Sequence, residues 1–258
     1  MRTRARTWWR LFSAAFVFSA AGAQPATWGQ TRLPNEKMAF TAFVSHEKEL
    51  EFSKGDENPY EIDSTYARRS DGSTALSWVA IAPYRTGTDT DQGTIIFDPR
   101  RLVEILLEPN TKSVTTTSLS LAQVSSRLAE EHACDNVDPE TIVKRGSESI
   151  LGYATIEEID SFPDEKSQTW VATALDCYSL KETTQFPDDL GGHNENVVLD
   201  IREGDPPLAM FSVPTDYLER SPKQVEAVYE AQFPGRTLHS PPVLKKLEES
   251  YERVTNLK

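Results

Sequence analysis

The stretch from residue 93 to residue 118, GTIIFDPRRLVEILLEPNTKSVTTTS, contains three runs of residues that favour β-strands. Residues 93–98 and 102–109 are rich in isoleucine and leucine, and residues 112–118 contain consecutive threonines whose β-branching favours an extended chain. Only short turns separate the three runs. Because parallel strands need a long crossover connection, strands joined by short turns predict an antiparallel meander.

The same pattern precedes this stretch. Residues 62–69 and 73–82 are both β-prone, and an Asp-Gly dipeptide at 71–72 stands between them. Asp-Gly between two such runs is a strong signal for a β-hairpin. Another β-prone run starts at Met38, whereas residues 24–37 lack periodicity and are predicted to form a flexible arm.

Downstream, residues 119–133 change to a helical period. Leu121, Val124 and Leu128 recur at helical spacing, so this segment predicts one short helix. β-prone runs then resume, and two helical stretches close the chain. The predicted strands are 148–159, 166–176, 178–186 and 194–203, and the predicted helices are 222–232 and 243–254.

Many short strands with one interposed helix predict an α+β protein rather than alternating βαβ units. We expect a curved antiparallel β-sheet, half-barrel-like, over residues 38–220, with one covering helix. A helical C-terminal tail is expected over residues 221–258, where proline pairs punctuate the chain. The sequence therefore predicts one sheet domain followed by a tail.

Residues 1–23 have the pattern of a secretory signal peptide. Four arginines precede a short apolar run, which ends at the small residues Ala21, Gly22 and Ala23. Cleavage is expected before Gln24, and the apolar run is shorter than the roughly 20 residues of a membrane span. An uncleaved interfacial anchor is the alternative. The sequence thus predicts an exported protein that is periplasmic or secreted.

The charge of the chain excludes two classes of partner. The formal net charge is −13, and removal of residues 1–23, which contain arginines and no acid, makes the remainder more acidic. Nucleic-acid binding requires a basic surface, and anionic membranes attract basic segments. We therefore expect neither nucleic acid nor an anionic membrane surface among the partners. No membrane span is expected either, because no later stretch is apolar for long enough to cross a bilayer. The excess of acids is interpreted as a contribution to solubility.

The two cysteines, Cys134 and Cys177, predict a disulfide bond. In an oxidising compartment such a pair is more often bonded than free. A metal site is the alternative, but no CxxC spacing is present and His132 has no obvious partner ligands. Cys134 and Cys177 are accordingly assigned to a disulfide.

No motif in the sequence carries recognisable catalytic chemistry. The four histidines form no HExxH pattern, and GxSxG, P-loop and dinucleotide motifs are absent. Pairs of adjacent carboxylates occur, as in Glu157-Glu158, but a chain with 40 acids contains such pairs by chance. We assign no catalytic, cofactor-binding or metal-ligating residue.

Aromatic residues within predicted strands are the remaining functional signal. Trp78, Trp170 and Phe211 are candidates for an apolar ligand face, and packing of the core is the alternative for each of them. Phe211 and Val213 alternate with polar or flexible neighbours before Pro214. This alternation predicts a strand with both side chains turned inward, which either stops at Pro214 or lies at an edge of the sheet there.

Three stretches carry a family resemblance: residues 94–114, ESILGYATIEEI with TWVATALDCYSL, and GDPPLAMFSVPTDYLERSP. Together they resemble small exported bacterial proteins of unknown function, which are similar to the periplasmic outer-membrane lipoprotein-carrier (lipoprotein-sorting) families. The resemblance implies a curved half-barrel covered by helices, with an apolar concavity for acyl chains. It also implies a central strand through Leu151, Gly152, Ile156 and Ile159, and a closing strand at 210–217.

The leading functional hypothesis is an exported, non-enzymatic binding or carrier-like module with an apolar or lipid-like ligand. The alternative is a structural or protein-interaction module of the cell envelope that uses the 243–254 helix or an edge of the sheet. A hydrolase that uses acidic residues is a third hypothesis, disfavoured because no catalytic motif is present. No cofactor is expected.

Overall fold

A computed structural model describes six segments of the chain: residues 39–53, 59–81, 90–130, 142–162, 165–186 and 192–233. The predicted signal peptide, the arm at 24–37, Cys134 and the predicted helix at 243–254 lie outside these segments. Within them, no helix is both long enough and apolar enough to cross a membrane.

Thirteen strands and two α-helices form the described part of the molecule. The strands are β1 (Phe43–Ser53), β2 (Tyr60–Arg68), β3 (Thr74–Ile81), β4 (Thr90–Asp98), β5 (Val103–Glu108), β6 (Ser113–Ser118), β7 (Ile142–Arg145), β8 (Ser149–Ile150), β9 (Tyr153–Phe162), β10 (Glu165–Ala172), β11 (Tyr178–Gln185), β12 (Gly192–Glu203) and β13 (Leu218–Glu219). The helices are α1 (Leu121–Glu130) and α2 (Pro222–Gln232).

The strands form one open, curved sheet in the order β13-β6-β5-β4-β3-β2-β1-β12-β11-β10-β9-β7, and β8 pairs with β9. Every pairing is antiparallel except that between β13 and β6. Strands β1 to β6 make one meander, and β9 to β12 make a second that joins the first where β12 pairs with β1. The predicted α+β class with a curved antiparallel sheet is confirmed.

The stretch from residue 93 to 118 folds as predicted, because β4, β5 and β6 are successive neighbours in the sheet. The predicted hairpin at Asp-Gly is also present between β2 and β3. Gly72 has a φ of +83°, which a residue without a Cβ adopts at little cost. The Asp71 carboxylate accepts a hydrogen bond from the Ser73 amide at 3.0 Å and closes the turn.

Both helices pack on one side of the sheet, which we call the helix face. Val124 and Leu128 of α1 pack with Phe97 on this face, and Val225 of α2 packs with Trp78. The α2 helix starts at a capping box. The Ser221 side chain accepts a hydrogen bond from the Gln224 backbone amide, and the Gln224 side chain accepts one from the Ser221 amide. The sequence predicted that α2 would begin a C-terminal tail. In the structure α2 contributes directly to the core.

Residues 205–217, which we call the strap, cross the opposite side of the sheet, the strap face. Met210, Phe211 and Tyr217 pack there against an apolar cluster that includes Ile96 and Ile105. The prediction of a closing strand at 210–217 is wrong. The strap crosses the sheet instead of pairing with it, and Leu208–Phe211 forms a 3-10 turn.

Two further details of the predicted strand are corrected. Phe211 is only half-buried, and Val213 is 37% exposed, so the two side chains do not both turn inward. The short pairing that does occur in this region is made by β13, after the strap ends.

The predicted single strand at 148–159 is also wrong. Leu151 and Gly152 have φ values of 52° and 87°, so they form the turn between β8 and β9. Strand β9 lies next to β7 at the end of the sheet rather than at its centre. Ile156 and Ile159 do lie in β9, as expected for strand residues.

Candidate functional site

A groove of about 290 Å³ lies on the strap face between strands β1 and β12 and the start of the strap. Val44 lines its floor, and Pro206, Pro207 and Met210 line the side formed by the strap. Its wall is therefore largely apolar. Typical small-molecule pockets have volumes of about 300 Å³ or more, so the groove suits a small ligand or one arm of a larger one.

Charged and polar residues also line the groove: His46, Thr65, Asp200, Arg202, Glu203 and Asp205. The antiparallel register places His46 opposite Asp200 and Val44 opposite Arg202. The His46 Nδ1 atom lies 3.0 Å from the Thr65 hydroxyl. In the described segments, no side-chain hydrogen bond or ion pair connects Asp200 or Arg202 to another residue.

Two contacts hold the strap over the groove. The Asp205 carboxylate accepts hydrogen bonds from the Ser70 amide at 2.9 Å and from the Ser70 hydroxyl at 3.0 Å, which lower the pKa of Asp205 below its ordinary value. The Gly204 amide donates to the Ala42 carbonyl at 2.8 Å. These bonds fix the point where the chain leaves β12 and turns across the sheet.

A buried polar cluster lies on the opposite, helix face. The Glu47 carboxylate accepts hydrogen bonds from the Tyr178 and Ser45 hydroxyls, which are themselves 2.7 Å apart. Burial raises the pKa of Glu47 above its ordinary value, although these hydrogen bonds oppose the shift. Burial, together with the neighbouring Glu47, raises the pKa of Tyr178 well above its ordinary value.

The structure separates the three aromatic residues that were predicted to form one ligand face. Trp78 is 3% exposed on the helix face, where it packs beneath Val225 of α2. Trp170 lies on the strap face of β10, and the Lys181 ammonium lies 4.4 Å from its ring centroid. Phe211 packs in the strap, with the Arg69 guanidinium 5.7 Å from its ring.

The three aromatic residues therefore do not share a single surface. Only Phe211 is adjacent to a groove residue, since it follows Met210 in the chain. Whether each of them contacts a ligand stays a prediction.

Only one of the two cysteines of the predicted disulfide lies within the described residues. Cys177 is half-buried at the turn before β11, has a φ of 60°, and donates its amide to the Ala172 carbonyl at 3.0 Å. Cys134 lies outside the described segments. The bond between Cys134 and Cys177 therefore stays a prediction. Within the described residues, no group of three His, Cys, Asp or Glu side chains could hold a metal ion.

Sequence reasoning missed both the groove and the buried polar cluster. Val44 and Met210 are separated by most of the chain, and their proximity depends on the pairing of β1 with β12 and the path of the strap. One local signal was available for Glu47. In the alternation of β1, Ser45 and Glu47 share the face of the apolar Phe43, so their burial follows from the same period.

No protein-family model matches the sequence, and no curated protein matches it. Comparison with solved structures finds distant likenesses. An uncharacterised conserved protein from Thermus thermophilus has a TM-score of 0.44 at 9% identity, over 72% of this chain and 94% of that one. PNGF-II has a TM-score of 0.40 at 10% identity over 74% of this chain, which spans only 34% of PNGF-II.

A LolA superfamily protein from Nitrosomonas europaea has a TM-score of 0.31 at 10% identity, over 70% of this chain and 94% of that one. The structures with a distant likeness to this chain thus include a LolA superfamily protein and a putative outer membrane lipoprotein-sorting protein domain from Vibrio parahaemolyticus, in agreement with the resemblance in the sequence. These likenesses describe the arrangement of the chain only.

Proposed function

We propose that this protein is an exported, non-enzymatic binding module that holds an amphiphilic, lipid-like ligand in the groove under the strap. The observation that carries the proposal is the combination of an apolar wall, formed in part by Val44 and Met210, with the Arg202 side chain, which has no hydrogen-bond or ion-pair partner in the described part of the chain. A ligand with an apolar chain and an anionic head group would use both features.

The groove volume limits what can be held. At about 290 Å³ it lies near the lower end for ligand pockets, so it accommodates a short acyl chain or one arm of a larger lipid. The Arg202 guanidinium presents several donors in a planar fork, which suits a carboxylate or phosphate head group. Asp200, Glu203 and Asp205, which also line the groove, would disfavour a second negative charge.

A fluorescent fatty acyl probe tests the proposal directly. The wild-type protein is expected to bind a dansyl-labelled fatty acid saturably. The Met210→Glu variant should weaken binding by about tenfold or more, because the ligand chain would have to desolvate a carboxylate. The Arg202→Gln variant should weaken binding of the acid by about tenfold and leave the corresponding alcohol within about twofold.

Matched controls separate the groove from general surface effects. Leu218→Glu adds the same charge at a residue that is 59% exposed and lies beyond the strap, so it should leave binding unchanged. Arg100→Gln removes an exposed guanidinium elsewhere and should also have no effect.

Two results would contradict the proposal: no saturable binding to wild-type protein, or equal losses in Met210→Glu and Leu218→Glu. Absence of binding would favour the alternative of a protein-interaction module. Leu208 in the strap, 70% exposed, would then be a candidate contact residue.

A further inference from the structure

Two opposite charges line the groove under the strap without pairing to each other. Asp200 and Arg202 lie two residues apart on β12, so both point to the strap face and their Cα atoms are about 6.6 Å apart. Within the described segments, neither side chain makes a hydrogen bond or an ion pair. The groove therefore presents an anion and a cation at neighbouring positions, and both are available to a ligand.

The other two acids that line the groove already have partners. The Glu203 carboxylate accepts a hydrogen bond from the Tyr153 hydroxyl at 2.7 Å. The Asp205 carboxylate accepts from the Ser70 amide and from the Ser70 hydroxyl. Among the acids of the groove in the described part of the chain, Asp200 is thus the one left to pair with a cation from outside the protein.

The apolar and charged parts of the groove follow a fixed order along β1 and β12. Strand β12 ends at the strap, and Arg202 lies near that end, opposite Val44. Met210 of the strap packs against the same apolar cluster as Val44. Asp200 lies farther from the strap, opposite His46. From the strap outward, a ligand therefore meets apolar side chains, then Arg202, then Asp200.

We infer that the ligand has a zwitterionic head group, with its anionic group next to the apolar chain and its cationic group at the far end. This inference rests on the proposed function, because the apolar chain must lie under the strap. The Arg202 guanidinium binds the anion through its planar fork of donors, and the Asp200 carboxylate attracts the cation.

Chain, phosphate and amino group follow in this order in a single-chain phospholipid with an ethanolamine or choline head group. The cation of such a head group offsets its phosphate charge. A phosphate without that cation would be repelled by the carboxylates of Asp200, Glu203 and Asp205. The arrangement of charges thus selects the zwitterion over a simple anionic amphiphile.

Three amphiphiles with the same dodecyl chain test this order. Dodecylphosphocholine has its anion next to the chain, dodecyl sulfobetaine has its ammonium next to the chain, and dodecyl phosphate has no cation. Each is titrated, below its critical micelle concentration, into full-length mature protein loaded with a dansyl-labelled fatty acid, and displacement of the probe gives the affinity. We expect dodecylphosphocholine to bind about fivefold more tightly than either of the others, because it alone meets both charges in order.

Variants at Asp200 test which residue interacts with the cation. Asp200→Asn should weaken binding of dodecylphosphocholine by about fivefold and should not weaken binding of dodecyl phosphate. Asp63→Asn makes the same chemical change on the same face of the sheet, at a side chain that is 57% exposed and outside the groove. It should leave every affinity within about twofold.

Exchange of the two charges gives a second test. The Asp200→Arg/Arg202→Asp double variant should reverse the preference, so that dodecyl sulfobetaine binds more tightly than dodecylphosphocholine. Both side chains are exposed, so the exchange should leave folding intact, and circular dichroism checks this.

The inference is overturned if dodecyl sulfobetaine or dodecyl phosphate binds wild-type protein as tightly as dodecylphosphocholine. It is also overturned if Asp200→Asn behaves like Asp63→Asn, or if the double variant keeps the wild-type preference. The proposed function survives each of these results when the dansyl-labelled fatty acid binds saturably and Met210→Glu weakens that binding. Absence of binding by all of the amphiphiles would overturn both.

Discussion

Arg68 is a charged side chain buried inside the described part of the molecule, at 1% exposure. Its Nη2 atom lies 2.7 Å from the Asp176 carboxylate and donates to the Leu175 carbonyl at 3.0 Å. Its Nε atom donates to the Thr41 carbonyl at 3.0 Å, and its guanidinium lies 4.9 Å from the Phe43 ring centroid. One side chain thus joins β2, the entry to β1 and the turn before β11.

Removal of the charge on Asp176 should strongly destabilise the protein. Asp176→Asn is the appropriate change, because asparagine tolerates the φ of 54° at this position. We expect a loss of about 3 kcal/mol in the free energy of unfolding, since the buried Arg68 guanidinium loses its ion pair with Asp176. Chemical denaturation measures this loss.

The control for Asp176→Asn is Arg100→Ala, which breaks an ion pair at a side chain that is 73% exposed. That variant should lose less than about 1 kcal/mol, as other surface pairs do. Equal effects of the two variants would mean that burial does not determine the strength of the Arg68–Asp176 pair.

Glu47 should make stability depend on pH. Burial raises the pKa of Glu47 above 4.5, so the folded state retains its proton at pH values where the unfolded chain has lost it. Stability must therefore fall as pH rises from about 4.5 through the folded-state pKa. Glu47→Gln removes this dependence, and denaturant melts across that range should show the wild type losing stability relative to the variant.

Other carboxyl groups contribute in the same way to both proteins, so the difference between the two pH profiles isolates Glu47. The pKa of Asp205 is lowered, so its contribution to stability has the opposite pH dependence and is lost as pH falls through its folded-state pKa. This contribution is the same in the wild type and in Glu47→Gln. Parallel profiles for wild type and Glu47→Gln would disprove the assignment.

At the scale of the element, α2 is a short helix whose docking depends on few side chains. Val225 is 1% exposed in the cluster with Trp78 and Leu106, and Tyr229 is the other large buried residue of the helix. An isolated helix of this length is marginal in water, so packing rather than propensity holds it in place.

Truncation of Val225 should therefore be costly. Val225→Ala removes buried methyl groups and leaves a cavity beside Trp78, for an expected loss of about 2 kcal/mol in the free energy of unfolding. Val213→Ala makes the same chemical change at a residue that is 37% exposed and should stay within about 0.5 kcal/mol. If both variants melt alike, α2 is not part of the cooperative core.

At the scale of the whole molecule, the second meander is held to the first along one long pairing. Strand β12 pairs with β1 from Ser53 to Phe43, and a bulge near His46 interrupts the register. Cys177 lies in the second meander, between β10 and β11. A bond to Cys134 would cross-link this meander to the chain that follows α1.

The disulfide prediction is tested at this scale. Denatured, unreduced mature protein should contain no free thiol, and the Cys134→Ser/Cys177→Ser double variant should lose about 2–5 kcal/mol of stability, as is usual for a native bridge. Two titratable thiols would show that the Cys134–Cys177 bond does not form. An unchanged melt of the double variant would show that the bond does not contribute to stability.

Local chemistry in the sequence determined most of the secondary structure. The meander at 93–118, the Asp-Gly hairpin and the bounds of α2 follow from side-chain period, turn residues and a capping serine, which act over a few residues. The same local rules failed at Phe211. Its alternation with Met210 and Ser212 resembles a strand, yet the segment crosses the sheet and forms a 3-10 turn.

The tertiary structure alone decided the features that depend on distant segments. The pairing of β1 with β12, the groove between Val44 and Met210, and the burial of Arg68 against Asp176 join residues more than a hundred positions apart. The two-residue period of a strand predicts that the side chains of Asn194 and Asn196 share a face of the sheet. Which segments pack on that face depends on the fold of the whole chain. Local period sets the conformation of each element, whereas burial of the shared core selects which elements meet.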